Sequence, residues 1–108
     1  MTYEQLVEQV QGIAKKADVS GIEGHVAFQF NIEGEAAGAF YLEFKEGKAY
    51  VEPYEYYDRD VLITCTAQTL LKIMEGKLDP VLAFTLKKIR VEGDLGKALL
   101  LKEVVGKK

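Results

Sequence analysis

The chain is poor in the side chains from which active sites are built. Its 108 residues include one His (His25), one Cys (Cys65), one Ser (Ser20), one Asn (Asn31), two Pro and no Trp. A Ser-His-Asp or Cys-His nucleophilic site would have to use the only copy of each member. A zinc site takes three or four Cys, His or carboxylate ligands, so here it would lean on carboxylates. These shortages favour binding over catalysis: the reading contains no catalytic residue, no metal ligand and no cofactor. A lone Cys excludes an internal disulfide, and Met1 to Gln5 shows no basic-then-apolar signal segment, which together point to a reducing cytoplasm. No apolar run is longer than a few residues, against the ~20 needed to span a bilayer, so a transmembrane helix is excluded.

Cationic charge is scarce in the first half. Residues 1–60 hold five Lys or Arg against twelve Asp or Glu, whereas residues 61–108 hold nine against five, within a net charge of −3. Only Arg59 and Arg90 are arginines, and nucleic-acid readers need an Arg-rich patch on a basic domain, so no nucleic-acid partner is expected. What the chain does have is apolar content, 48% of residues, in a length suited to one domain, 1–108.

Thr2 and Gln5 have capping-box spacing, and Tyr3, Leu6, Val7, Val10, Ile13, Ala14 and Ala17 follow at helical period, which predicts an amphipathic helix packed on one side. Asp18 to Gly24 reads as its exit loop. From His25 the period becomes two. Val26, Phe28, Phe30 and Ile32, then Phe40, Leu42 and Phe44, then Lys48 to Glu52 form three strands of an antiparallel meander, with Glu46-Gly47 as the second turn. Pro53 to Asp60 is a loop rich in Tyr and acids. It lacks the Gly and ligand spacing of a calcium loop, and its Tyr rings are expected to cover the sheet edge. Val61 to Thr66 reads as a central strand buried on both faces, with Cys65 as a small buried hydrophobe.

Thr66 caps a helix carrying Leu70, Leu71, Ile73 and Met74, and Gly76 closes it. Asp79-Pro80 opens another, through Val81, Leu82, Ala83, Phe84 and Leu86. Ile89 and Val91 mark a final strand, and Gly93-Asp94 caps a terminal helix from Leu95 to Val105. At 100° per residue, Leu95, Ala98, Leu99, Leu100, Leu101, Val104 and Val105 spread around most of that helix, so one sheet face cannot bury them all. A partner subunit, a membrane surface or an apolar ligand would cover the remainder. Gly93 to Ala98 only superficially looks like a phosphate loop: two residues separate its glycines instead of four, and Ala98 stands where Ser or Thr should bind magnesium.

Read in order, Asp60 to Thr66 (Asp-Val-Leu-Ile-Thr-Cys-Thr), Leu70-Leu71, Ile73 to Pro80 ending Gly-Lys-Leu-Asp-Pro, Ala83-Phe84, and Lys88 to Gly96 ending Gly-Asp-Leu-Gly resemble the sterol carrier protein type 2 domain. Val26 to Val51 with the Gly47-Lys48 turn fits its first hairpins, so the resemblance covers essentially the whole chain. It implies an α+β fold: a five-stranded mixed, mainly antiparallel sheet with about four helices on one face, enclosing an apolar tunnel. It also implies a non-catalytic carrier of fatty acids, acyl-CoA, sterols or phospholipids. The ending Val105-Gly106-Lys107-Lys108 differs from the Ser-Lys-Leu-type peroxisomal address of animal members, which leads to the expectation of a stand-alone, cytoplasmic, bacterial-type member.

The residues and the resemblance meet at two apolar surfaces. Phe28, Phe30, Phe40, Leu42 and Phe44 of the sheet face Leu70, Ile73, Met74, Val81, Phe84, Leu95, Leu99 and Leu100 of the helices, and these are the candidate lipid-binding residues. Burying an acyl chain is favourable by ~0.8 kcal/mol per methylene, so no specific polar contact is required. The partners that fit are a fatty acid or other acyl lipid, a transiently contacted membrane surface and a second copy in a homodimer. Lysines of the second half suit either a lipid head group at the mouth or an anionic lipid surface. The alternative function is a structural or accessory module that uses the apolar terminal helix to dimerise or to dock on an enzyme.

Overall fold

The computed structural model describes residues 1–104. Helix α1 (Tyr3–Lys16) starts at the capping box: Thr2 Oγ1 accepts from the Gln5 amide at 3.1 Å and Gln5 Oε1 from the Thr2 amide at 2.9 Å. Strands β1 (Val26–Glu33), β2 (Gly38–Lys45) and β3 (Lys48–Glu52) form the meander. Glu46 and Gly47 both take positive φ, 54° and 75°, which matches the right-handed twist of a two-residue hairpin joining Lys45 to Lys48. Strand β4 (Val61–Thr66) runs parallel to β1, and β5 (Arg90–Gly93) pairs antiparallel with β4, giving one sheet of order β3-β2-β1-β4-β5. The sheet is therefore mixed, with a single parallel pair.

One sheet face carries Phe28, Phe30, Phe40, Leu42, Phe44, Val51, Val61 and Ile63, all buried. Against it α1 buries Leu6, Val7, Val10 and Ala14, and α2 (Ala67–Met74) buries Ala67, Leu70, Ile73 and Met74. Thr66 caps α2 by accepting from the Thr69 amide, and Asp79 caps α3 (Pro80–Thr85) by accepting from the amides of Val81 and Leu82. All three of these helices start where the capping chemistry puts them.

Three expectations need correction. The strand buried on both faces is β1, not β4: Val26 to Phe30 are buried without interruption, whereas Leu62 and Thr64 of β4 are half-buried and Thr66 is exposed. The cause is the loop at 53–60, which crosses the polar face of the sheet over β1 and β2 instead of its edge. Only Tyr56 of its three tyrosines lies down there, its ring edge-on to Tyr41, while Tyr54 and Tyr57 stay exposed. The terminal helix, finally, is two short helices, α4 (Leu95–Ala98) and α5 (Leu101–Val104). Between them the Leu100 amide donates to Lys97 and the Lys102 amide to Leu99, a tightened three-residue pattern that redirects the chain and buries Leu101. The expected extension to Val105 lies outside the described residues.

Candidate lipid-binding site

Between the β4–β5 end of the sheet and the short helices is an apolar cavity of about 220 Å3. Its floor is Ile63 of β4, Val91 of β5 and Ile89 just before β5; Ile63 and Val91 are register partners, so their side chains stand side by side on one face. Helix α3 supplies Pro80, Val81 and Phe84 as one wall. Leu95, Ala98, Leu99 and Leu101 of the α4–α5 segment supply the other. No lining residue carries a polar side chain. Ile63, Ile89 and Leu101 are buried at the bottom, whereas Val81, Phe84, Leu95 and Leu99 are 43–57% exposed and form the mouth.

The α4 wall is held by one acid. Asp60 Oδ1 accepts from Lys97 Nζ at 3.0 Å, its Oδ2 accepts from the Ala27 amide at 2.8 Å, and its carbonyl accepts from the Asp94 amide at 2.9 Å. Burial works against the Asp60 charge, but the Ala27 amide and the Lys97 ammonium outweigh it and hold the carboxyl below the usual aspartate range. Gly93 makes this closure possible: it sits at φ +102°, and a Cβ there would lie 2.4 Å from the Asp60 carbonyl oxygen. Asp94 then caps α4 by accepting from the Lys97 amide. A second ion pair, Lys102 to Asp79 at 3.3 Å, ties α5 to the start of α3.

Of the thirteen candidate residues, Val81, Phe84, Leu95 and Leu99 line this cavity. Phe28, Phe30, Phe40, Leu42, Phe44, Leu70, Ile73 and Met74 are packed into the closed core, where Phe28 stacks on Phe30 and meets Phe44 edge-on. Leu100 is half-buried against the core and does not line the cavity. Sequence reasoning missed Ile63, Pro80, Ile89, Val91, Ala98 and Leu101. Alternation marks Ile63 and Val91 as facing the helices, but only the β4–β5 register and the break after Ala98 set them against a gap.

The chemistry-bearing side chains lie elsewhere. Gln29, Tyr41 and Glu43 stand on the sheet face opposite the Phe residues. Gln29 Oε1 accepts from the Tyr56 amide at 3.0 Å and Arg59 at 3.2 Å, and Tyr56 donates its hydroxyl to Glu43 at 2.9 Å beside His25. That acceptor pushes the Tyr56 phenol up to about 12, and burial pushes the Cys65 thiol up to about 12; neither is a ready base or nucleophile at neutral pH. Among the described residues no three His, Cys, Asp or Glu are grouped to hold a metal ion, and no helix is long and apolar enough to cross a membrane.

A mixed five-stranded sheet whose helices share one face and leave an open apolar cavity at one end defines a small α+β domain suited to an apolar ligand. The chain belongs to the SCP-2 sterol transfer family, whose model matches residues 3–106. It is 28% identical over 104 residues to hydroxysteroid dehydrogenase-like protein 2 of Xenopus tropicalis, a match that covers 95% of this chain and 24% of that protein. The chain thus spans about a quarter of the length of such curated relatives. Its fold is similar to the crystal structure of sterol carrier protein 2 like 2 from Aedes aegypti, with TM-score 0.71, 25% identity and 94% of each chain covered. The solution structure of the palmitated form of that protein gives TM-score 0.69 and 23% identity over 99% of this chain and 96% of the other.

Proposed function

We propose that this chain binds the acyl chain of a fatty acid or another acyl lipid in the cavity between β4, β5 and the α3–α4 helices, and performs no reaction on it. The observation that carries the reading is a cavity lined solely by apolar side chains and open through a half-exposed apolar mouth. Membership of the SCP-2 sterol transfer family and the palmitate held by the Aedes aegypti relative support an acyl or sterol-like ligand. About 220 Å3 exceeds the ~150 Å3 that accommodates benzene and falls short of the ~300–1,000 Å3 of drug-sized sites. One end of a long chain therefore fits as the cavity stands, and the remainder runs along Val81, Phe84, Leu95 and Leu99 or displaces the four-residue α4, which is too short to be stable by itself. With ~0.8 kcal/mol per buried methylene and no polar anchor, affinity rises with chain length and head-group selectivity is low. The reading includes a cytoplasmic location, in keeping with a single buried thiol.

Displacement of a fluorescent fatty acid by palmitate from delipidated protein tests this. Ala98→Phe and Val91→Phe each fill the cavity and are expected to weaken binding at least tenfold while the fold is kept, as followed by circular dichroism. No binding by the parent protein, or undiminished binding by both variants, overturns the proposal. The second reading, an accessory module, draws on the exposure of Leu95 and Leu99 and on the multidomain length of the relatives. A lipid-free dimer in light scattering that Leu99→Glu dissociates would favour it.

A further inference from the structure

The two edges of the sheet differ. Helix α1 packs along β3, and Gln11 donates from Nε2 to the Val51 carbonyl at 2.9 Å, so that edge is covered. Strand β5 ends the other side of the sheet, and among the described residues no helix or loop backbone bonds to its outer side. The Asp94 amide donates to the Asp60 carbonyl, and two residues further along the ladder Glu92 is opposite Leu62. Alternate residues of β5 therefore turn their backbone groups to β4, and Val91 between them points its N–H and C=O away from the sheet. A bare edge of this kind is a template for another strand.

The charges along this edge say which strand fits. The stretch Lys88-Ile89-Arg90-Val91-Glu92-Gly93-Asp94 is antisymmetric in charge about Val91. Laid antiparallel on a second copy with Val91 opposite Val91, it sets Arg90 against Glu92 twice, and just beyond the strand it brings Lys88 toward Asp94 twice. Opposite charges across a strand pair stabilise it and like charges oppose it. A slip of two residues sets Arg90 against Arg90 or Glu92 against Glu92, and a slip of one turns the charged side chains to the apolar face. All four side chains are exposed, and the bond from Arg90 to Glu33 in its own chain, 3.0 Å long, is a surface pair of the kind that contributes little. We propose that two copies of this chain join edge to edge through β5 about a twofold axis normal to the sheet, Val91 exchanging both backbone hydrogen bonds with its counterpart. The two sheets become one, and both helix layers stay on the same side of it. Val91 lines the cavity, so the floors of the two cavities adjoin. The pairing does not depend on the acyl-binding reading.

Light scattering on the purified protein tests this. Four strand residues bury little surface, so the expected dimer is weak, grows with concentration through the high-micromolar range and shrinks with added salt. Arg90→Glu and Glu92→Arg are each expected to raise the dimer dissociation constant at least about tenfold, because each turns two attractive pairs into two repulsive ones. Mixed in equal amounts, the two variants are expected to associate with each other, since every 90-to-92 pair across the axis is then opposite in charge. Both substitutions in one chain are expected to dimerise as the parent does. A fold damaged by either substitution would not be rescued in this way. A parent protein that stays monomeric through that range overturns the proposal, as does a dimer that neither single variant weakens or a mixture that stays monomeric. A dimer dissociated by Leu99→Glu and not by Arg90→Glu would assign the interface to α4 and overturn it too.

Discussion

Gly93 is the residue on which the cavity wall depends. Its φ of +102° disfavours any side chain, and the Asp60 carbonyl oxygen 2.4 Å from where a Cβ would stand is backbone, unable to swing aside. Gly93→Ala is therefore expected to lower stability by roughly 2–4 kcal/mol in urea unfolding. A loss below about 1 kcal/mol would mean that β4 and β5 separate there at little cost. Local signals at this scale were fully legible where they act within a few residues: Thr2, Thr66, Asp79 and Asp94 all cap the helices that follow them. Asp60 was legible only as a member of a motif. Its partners Ala27 and Lys97 are 33 and 37 residues away, and no local rule connects them.

The element that decides access to the cavity is α4, four residues strapped to the sheet by Asp60 and Lys97. Because the folded-state acid is held below its unfolded value, its stabilising effect is complete above about pH 4 and is lost as pH falls through the lower folded value. Thermal melting of the parent protein and Asp60→Asn should therefore differ near neutrality and converge under acid. A constant difference from about pH 6 to about pH 3 would show that the Asp60 charge is not what holds α4. The helical period of residues 95–105 told us that one face could not bury every leucine. It did not reveal the remedy, a tightened turn after Ala98 that accompanies the burial of Leu101 in the core.

At the scale of the whole molecule, folding and ligand occupancy are linked. A ligand that binds only the folded chain stabilises it by about 2.7 kcal/mol at a hundredfold excess over its dissociation constant. For a domain of this size that corresponds to a rise in melting temperature of roughly 10 °C or more. Palmitate should produce such a rise in the parent protein and none in Ala98→Phe. An equal rise in both would place the acyl chain outside the cavity. The phenylalanines of β1 and β2 make this possible by taking no part: Phe30, stacked on Phe28 and Phe40 in the closed core, keeps the sheet rigid while the β4–β5 end stays open.

Hydrophobic period and capping chemistry, both consequences of backbone geometry acting over a few residues, determined by themselves the order of strands and helices and the core-facing side of most of them, but neither the break that divides the terminal helix nor which strand is covered on both faces. Composition by itself showed that Ser, His and Cys each occur only once. Tertiary structure alone decided which apolar residues close on one another and which are left around a gap. That depends on register, on the parallel pairing of β1 with β4 and on long-range contacts such as Asp60 with Lys97, and none of these leaves a mark in a short window of sequence. The excess of leucine near the end of the chain was visible at once; that it becomes the mouth of a cavity follows from where β4 and β5 put Ile63 and Val91.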